Sequence, residues 1–146
     1  MKNFPMFLRM DGRRVVLCGG GEEVARKARL IPKTEARITI LADRLDPELS
    51  ALVASGRADH HISLQDETFR DAALVFIGTG DDDLDLDLAG VARAAGAVVN
   101  VIDRPELCDA FTPSIVDRDP VVVAIGTEGA APVLGRAIKT EIETML

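Results

Sequence analysis

The apolar residues of this chain fall into short continuous runs that are separated by segments with helical periodicity. A first strand is predicted from Arg13 to Cys18, and a helix from Glu22 to about Ile31, where Pro32 ends the pattern. Four more runs predict strands at 36–41, 57–62, 73–78 and 97–102. Because buried strands that alternate with helices pair in parallel, the pattern predicts an α/β fold with a Rossmann-like, doubly wound parallel sheet.

Two further helices fit between these strands. Asp46 can cap a helix that starts at Pro47 and stops near Gly56. Another helix is predicted from Leu84 to Ala95. Five aspartates at positions 81 to 87 lie at its beginning, where side-chain oxygens can cap the first amides and negative charge is favourable.

The pattern changes after Asp103. Residues 104–113 are polar and irregular, and two short strands and a helix from Ala131 follow them. We therefore expect a Rossmann-like domain over 1–112 and a small β-β-α extension over 113–146.

The last helix carries one apolar stripe that persists to the end of the sequence. Its members recur at helical spacing: Val133, Leu134, Ala137, Ile138, Ile142 and Met145. A stripe of this kind usually has a partner, so we expect either a homodimer or a longer natural chain of which this sequence is a truncated part. The alternative is that the helix simply docks on its own two strands.

Three glycines, Gly19, Gly20 and Gly21, follow the first strand at once. Gly19 can form the tight turn that leaves the strand, and Gly21 would let the backbone approach a pyrophosphate closely. The amides at the start of the next helix add donors and a partial positive charge. This order of strand, glycine turn and helix predicts a dinucleotide cofactor; a plain tight turn is the alternative.

A charged pair after the second strand bears on the choice of cofactor. Asp43 lies about twenty residues beyond the glycines, where a carboxylate can accept hydrogen bonds from the adenosine ribose and favour NAD. Arg44 beside it could instead bind a 2′-phosphate. NAD is the preferred cofactor on this pattern, and a turn residue ahead of Asp46 is the structural alternative for Asp43.

Composition narrows the function classes. The chain has 146 residues, of which 47% are hydrophobic and 28% charged, and this suits one principal folded domain. The formal net charge of −7 argues against nucleic-acid binding, because phosphate neutralisation needs a basic surface. No apolar run approaches the roughly 20 residues of a membrane span, and the first residues lack a signal-peptide core. With only Cys18 and Cys108, which we expect to be reduced, these features predict a cytoplasmic protein.

Two constellations fail as metal sites because of their spacing. Asp83, Asp85 and Asp87 alternate as in a calcium loop, but the turn glycine and the closing glutamate of such a loop are missing. His60 and His61 are adjacent in a strand and therefore point to opposite faces. We expect no metal site in this chain.

Longer motifs give a more specific indication. Asn100-Val-Ile-Asp103 is followed by Phe111-Thr-Pro-Ser-Ile-Val-Asp-Arg118 and by Ala131-Pro-Val-Leu-Gly-Arg136, and Arg26-Lys-Ala-Arg29 follows the glycines. In this order the motifs resemble the precorrin-2 dehydrogenase modules of siroheme synthases over nearly the whole chain. The resemblance implies NAD-dependent oxidation of precorrin-2 to sirohydrochlorin in siroheme or cobalamin biosynthesis. In some members it also implies insertion of ferrous iron, which is then a substrate.

The resemblance implies roles for individual residues as well. Asp103 is the residue on which catalysis or metallation depends, and it lies just beyond a strand, at the edge where open α/β sheets collect ligands. The carboxylates of the tetrapyrrole substrate would be held by cationic and polar side chains. The candidates are Asn100, Arg104, Ser114, Arg118, Thr127 and Arg136.

The cofactor side of the resemblance adds residues that flank two turns. They are Glu22, Glu23 and Val24 after the glycines, and Thr79, Gly80 and Asp81 after the fourth strand. Both segments depart from the family pattern: the two glutamates place a β-branched residue at the third fingerprint position, and Thr79-Gly80 replaces the usual Ala-Thr. We expect Val24 to push the helix away from the strand and the two carboxylates to compete with a pyrophosphate for the helix amides. Both effects would weaken NAD binding.

A regulatory domain that senses NAD without chemistry is the alternative function. Such a domain needs neither the Asn100–Asp103 segment nor the Phe111–Arg118 segment. Asp103 therefore discriminates between an enzyme and a sensor. A member specialised in iron insertion, with weakened NAD binding, is another enzymatic alternative.

Overall fold

A computed structural model of residues 1–146 shows five parallel strands in one sheet. The strands are β1 (Arg14–Cys18), β2 (Arg37–Leu41), β3 (Ala58–His61), β4 (Ala72–Ile77) and β5 (Val98–Val101), and their order across the sheet is β3-β2-β1-β4-β5. The chain therefore proceeds outward from β1 in one direction and then returns to build the other half of the sheet. This arrangement confirms the predicted doubly wound α/β fold.

Three helices cover the two faces of this sheet: α1 (Glu22–Ala28), α2 (Pro47–Ala54) and α3 (Asp82–Ala94). Alternate residues along β1 divide between two apolar clusters. Val15 and Leu17 pack in one cluster with buried residues of α1 and α2, whereas Val16 and Cys18 pack in the other cluster with buried residues of α3. The sheet is thus buried on both faces, as its continuous apolar strands predict.

The first helix is shorter than predicted. It ends at Ala28, and a single 3₁₀ turn covers Ile31–Lys33. Pro32 explains the difference, because it has no N–H to donate to the Ala28 carbonyl and disfavours helical geometry at Ile31.

The third helix begins two residues earlier than predicted. The Asp81 carboxylate accepts hydrogen bonds from the amides of Asp83 and Leu84, each at 3.1 Å, and so caps the helix at Asp82. Asp46 caps α2 as predicted, accepting from the Glu48 amide at 2.8 Å.

The structure divides into two compact units, Arg9–Ala110 and a second unit that combines Met1–Leu8 with Phe111–Leu146. The second unit contains an antiparallel pair, β6 (Ser114–Arg118) and β7 (Val121–Ile125), and the helix α4 (Pro132–Met145). The Glu128 carboxylate in this unit accepts hydrogen bonds from the amides of Lys2 and Asn3. The first residues of the chain are therefore fastened to its last third.

Much of the α4 stripe lies open. Val133, Leu134 and Met145 have exposed fractions of 69%, 56% and 77%, and Gly135 is the buried residue of the helix. None of the helices has both the length and the apolar composition that crossing a membrane requires.

Candidate functional site

The sheet brings most of the predicted site residues of the first unit to one edge. Because β1, β2, β4 and β5 are parallel, the segments that follow them all leave from the carboxyl edge of the sheet. These segments carry Gly19–Gly21, Asp43–Arg44, Thr79–Asp81 and Asp103.

The direction of winding reverses between β1 and β4, and ligands of open α/β sheets bind at such a point. Here the two strand ends are in close contact. The Gly78 amide donates to the Cys18 carbonyl at 2.8 Å, and a Cβ on Gly19 would lie only 2.2 Å from the Gly78 carbonyl oxygen. Gly19 also has φ +121°, a conformation that residues with side chains rarely adopt. Glycine at this position is required by the fold itself.

The next two glycines differ sharply in their surroundings. A Cβ on Gly20 would lie 1.6 Å from the carbonyl oxygen of Arg44, whereas a Cβ on Gly21 would meet nothing within 4 Å. Gly20 therefore fastens the glycine turn to the loop after β2, and its carbonyl accepts the Asp46 amide at 2.6 Å. Gly21 instead leaves open the space into which a side chain would project, and this opening fits the close approach of a dinucleotide pyrophosphate.

The beginning of α1 is free of side-chain caps. Gly21 occupies the N-cap position and makes no side-chain hydrogen bond, whereas Asp46 and Asp81 cap α2 and α3. Glu22 and Glu23 are exposed, and Glu22 forms an ion pair along the helix with Arg26 at 3.4 Å. The first amides of α1 are thus not occupied by either carboxylate.

Val24 fits without the predicted displacement of the helix. Its side chain is fully buried, and its Cγ2 atom would lie 2.9 Å from a Cβ on Gly19 and 3.5 Å from a Cβ on Gly78. The missing side chains of these two glycines provide the space that a β-branched residue needs. The helix therefore packs on β1 and β4 with valine at this position.

The segment after β2 supplies two exposed charges. Asp43 and Arg44 both follow the buried end of the strand, beside the glycine turn that the Arg44 carbonyl contacts. This is the position predicted for recognition of the adenosine ribose.

The turn after β4 is held by a residue of α3 that sequence reasoning missed. Asp85 is 6% exposed, and its Oδ1 atom accepts hydrogen bonds from the amide of Thr79 at 3.0 Å and from the hydroxyl of Thr79 at 2.5 Å. The sequence pattern assigns the acidic run to the capping and charge of the helix N-terminus and gives Asp85 no separate role. The available signal was helical spacing, because position 85 falls on the same face as buried Leu88, Ala89 and Ala92.

Cys18 lies at the end of β1, close to this turn. Burial raises the pKa of its thiol to about 12, and the negative charge of Asp85 adds to the increase. The thiol therefore remains protonated at neutral pH and packs as a small apolar group.

Asp103 is an exposed carboxylate that follows β5. Its backbone has φ +61°, which places it in the left-handed region. The turn around it is closed by the Arg104 amide, which donates to the Val101 carbonyl at 3.1 Å. The Cys108 thiol lies 3.2 Å and 3.3 Å from the carbonyl oxygens of Val101 and Arg104, so that it supports both ends of the turn.

Lys27 on α1 adds a positive charge near Asp103. It is partly buried, and burial lowers the pKa of its ammonium group, while the negative charge of Asp103 opposes that decrease.

Two residues predicted to bind substrate have partners within the first unit. Asn100 is buried and its Nδ2 donates to the Ala110 carbonyl at 2.8 Å. Arg104 forms ion pairs with Glu106 at 3.0 Å and Asp82 at 3.4 Å, and the hydrogen bond with Glu106 is the main reason that its pKa is raised. Asn100 therefore holds the segment after β5, and Arg104 has its charge balanced by two carboxylates.

The other four residues predicted to bind substrate lie in the second unit. Ser114 and Thr127 meet at Gly135, because a Cβ there would lie 3.2 Å from Cγ2 of Thr127 and 3.8 Å from Oγ of Ser114. Arg136 follows Gly135 on α4 and is exposed, as is Arg118 at the end of β6. The Arg118 guanidinium donates only to the neighbouring Asp117 carbonyl, at 3.0 Å.

Comparisons with known proteins place these features in a family. Residues 6–114 match the family model described as "Putative NAD(P)-binding". The whole chain aligns with siroheme synthases of Methylobacillus flagellatus at 38% identity, Pseudomonas aeruginosa at 39% and Psychrobacter arcticus at 37%. It covers 32%, 32% and 27% of these relatives, so that the chain spans about a third of their length.

A solved structure, "SirC, precorrin-2 dehydrogenase", has the same fold. Its TM-score is 0.79 at 21% identity, over 99% of this chain and 71% of that chain. The likeness extends over both units of the chain, and the family match confirms the predicted dinucleotide cofactor. With the matched region running from before β1 to the start of β6 and containing the glycine turn, the chain belongs to the NAD(P)-binding domain family.

Proposed function

We propose that this protein is an NAD-dependent dehydrogenase that oxidises precorrin-2 to sirohydrochlorin. The observation that carries the proposal is the position of Asp103, an exposed carboxylate at the same carboxyl edge of the sheet as the glycine turn. An NAD sensor has no need of such a group. The similarity of the whole chain to siroheme synthases supports the choice of substrate.

The residues around the glycine turn would hold the cofactor. Backbone amides at the start of α1 would donate hydrogen bonds to the pyrophosphate in the opening at Gly21, and Asp43 would accept hydrogen bonds from the ribose hydroxyls. The carboxylate of Asp43 favours NAD over its 2′-phosphorylated form, because a phosphate beside it would be repelled. When bound, NAD supplies the hydride acceptor of the reaction.

Oxidation of precorrin-2 removes a hydride and a proton. The hydride requires the cofactor, and the proton requires a base in this chain. Asp103 has the chemistry for this step, since a carboxylate can accept a proton and its left-handed turn is held by three contacts to the backbone carbonyls of Val101 and Arg104. We assign the base to Asp103 on that ground.

The substrate is fringed with carboxylates, which a protein of net charge −7 repels at long range. Local cations must therefore bind it. Arg118 and Arg136 are the favoured residues, because both side chains are exposed and neither forms an ion pair, whereas Arg104 is already paired. Ser114 and Thr127 would add hydrogen bonds to this set.

We further propose that the protein is a cytoplasmic homodimer. The open stripe of α4 is the surface that a second copy would cover. Ferrous iron would be a second substrate if the protein also inserts it into sirohydrochlorin. No group of three or more His, Cys, Asp or Glu side chains is arranged to hold a metal ion in the structure.

The test is the anaerobic conversion of freshly prepared precorrin-2, followed by the absorbance of NADH and sirohydrochlorin. We compare the wild type with Asp103→Asn, since asparagine tolerates the left-handed conformation. We expect the turnover number of the variant to fall at least about 100-fold, the contribution typical of a general base. Its affinity for NAD and its melting temperature should remain those of the wild type.

Asp87→Asn is the matched control, because it removes the same charge from an exposed position on α3. It should leave turnover unchanged. A wild type that binds NAD and does not turn over would favour the sensor function. A fully active Asp103→Asn would rule out Asp103 as the base.

A further inference from the structure

The carboxyl edge of the sheet holds one buried carboxylate that the proposed mechanism does not use. We propose that Asp85 is a positioning residue for the cofactor, whose side chain fixes the Thr79–Gly80 turn beside the glycine turn of β1. The inference rests on the proposed cofactor site, and it assigns a role in NAD binding to a residue that does not contact NAD.

The geometry around Thr79 forms a continuous network. The Thr79 hydroxyl donates to Asp85 at 2.5 Å and accepts from the Asp81 amide at 3.2 Å, while the Thr79 amide donates to the same Asp85 oxygen at 3.0 Å. The Asp81 carboxylate then caps the first turn of α3. Asp85 is therefore the acceptor that both hydrogen-bond donors of Thr79 share.

This network leaves Gly80 with little freedom. Gly80 lies between the two residues that the network fixes, its φ of +86° is maintained by the turn, and its amide makes no hydrogen bond within the protein. Because the Thr79 amide donates to Asp85 and the Asp81 amide donates to the Thr79 hydroxyl, the amide of exposed Gly80 is the one donor of this turn without a partner in the protein. A fixed donor loses less entropy on binding than a mobile one.

The burial of Asp85 also requires an explanation. A buried carboxylate is unfavourable unless hydrogen bonds compensate for the loss of water, and the side chains of its buried helical neighbours Leu88, Ala89 and Ala92 are apolar and offer none. Both donors that compensate it belong to Thr79. The buried charge therefore serves to bind the Thr79 turn, and the packing of the helix does not require it.

The position of Asp85 relative to β1 completes the argument. Its negative charge reaches Cys18, the last residue of β1, and the Gly78 backbone abuts Gly19. A shift of the β4–α3 turn would therefore occur directly at the point where the winding of the sheet reverses. Asp85 therefore holds the β4–α3 turn in place beside the end of β1.

The experiment measures NAD+ binding by isothermal titration calorimetry, together with the melting temperature. We expect Asp85→Asn to weaken NAD+ binding about 10-fold, as the loss of a charge-assisted hydrogen bond would. Asp87→Asn removes the same charge from an exposed position of α3 and should bind NAD+ at least as tightly as the wild type. Long-range electrostatics alone would make the two variants behave alike.

Changes at Thr79 test the other side of the network. Thr79→Val removes the hydroxyl at nearly constant shape and should weaken NAD+ binding to a similar extent. Thr79→Ser keeps the hydroxyl and should bind NAD+ as the wild type does. In the double variant Thr79→Val with Asp85→Asn the two losses of NAD+ affinity should be less than additive, because both changes break the shared hydrogen bond between the Thr79 hydroxyl and Asp85. These Thr79 variants keep the proposal testable if Asp85→Asn folds poorly.

Three results would overturn the proposal. The first is that Asp85→Asn binds NAD+ with the affinity of the wild type. The second is that Asp85→Asn binds NAD+ more tightly, to the same degree as Asp87→Asn. The third is that the losses of affinity in the double variant are fully additive. A wild type that does not bind NAD+ at all would instead refute the proposed function, and this inference with it.

Discussion

Gly20 and Gly21 are identical neighbours in sequence, but each is needed for a different reason. A Cβ on Gly20 would collide with the Arg44 carbonyl oxygen, and a Cβ on Gly21 would project into open space. The first glycine is therefore required by the fold, and the second is available to the ligand. The sequence alone does not separate these two roles, because both positions are occupied by glycine.

Single alanine substitutions should separate them. Gly20→Ala should lower the free energy of unfolding by about 1–3 kcal/mol or more, the typical cost of overpacking. Gly21 has φ −91°, which alanine adopts without strain. Gly21→Ala should therefore preserve stability while the affinity for NAD+ falls roughly 10-fold. Urea unfolding and calorimetric titration measure the two effects. Equal loss of stability in both variants would contradict this assignment.

The Cys18 thiol leads to a prediction about alkaline pH. Its pKa of about 12 in the folded protein lies above its ordinary value of 9.0, chiefly because of burial. The unfolded chain releases this proton first, so the stabilisation is complete below pH 9 and is lost as pH rises toward 12. One such thiol lowers the free energy of unfolding by about 1.4 kcal/mol between about pH 8 and about pH 10.

The measurement is urea unfolding at several pH values for the wild type and Cys18→Ala. The difference between the two curves isolates Cys18 from the other ionisable side chains of the protein. Parallel pH profiles would show that Cys18 does not contribute.

At the scale of elements, apolar runs and caps predicted most of the first unit. Continuous apolar strands indicated burial on both faces, and Asp46 and Asp81 cap their helices. The end of α1 was misplaced because the effect of Pro32 extends backward to the carbonyl that it cannot satisfy. Local rules place elements well where the signal is itself local.

The site was less accessible from sequence, because its contacts join residues that are distant in the chain. The fit of Val24 depends on Gly78 of another strand end, and the role of Asp85 depends on the fold of the turn before it. The side-chain amide of Asn100, a residue predicted to bind substrate, donates to the Ala110 carbonyl, a partner that no local pattern indicates. The type of each residue was visible in the sequence, whereas the residue that it contacts is known only from the folded structure.

At the scale of the whole molecule, the exposed apolar surface of α4 predicts self-association. Leu134→Asp places a charge within the open stripe and should convert a homodimer into a monomer. Size-exclusion chromatography with light scattering measures the mass. Val91→Asp on α3 is the control, since Val91 is similarly exposed and belongs to the other unit. A monomeric wild type, or a dimeric Leu134→Asp, would contradict the proposed interface.

The hydrogen bonds from Lys2 and Asn3 to Glu128 join positions that are 126 and 125 residues apart in the chain. Closing so long a loop costs more conformational entropy than closing any local turn, so we expect these bonds to form late in folding, after β6, β7 and α4 have assembled around Glu128. In refolding followed by hydrogen exchange, the amides of Lys2 and Asn3 should then be among the last to become protected.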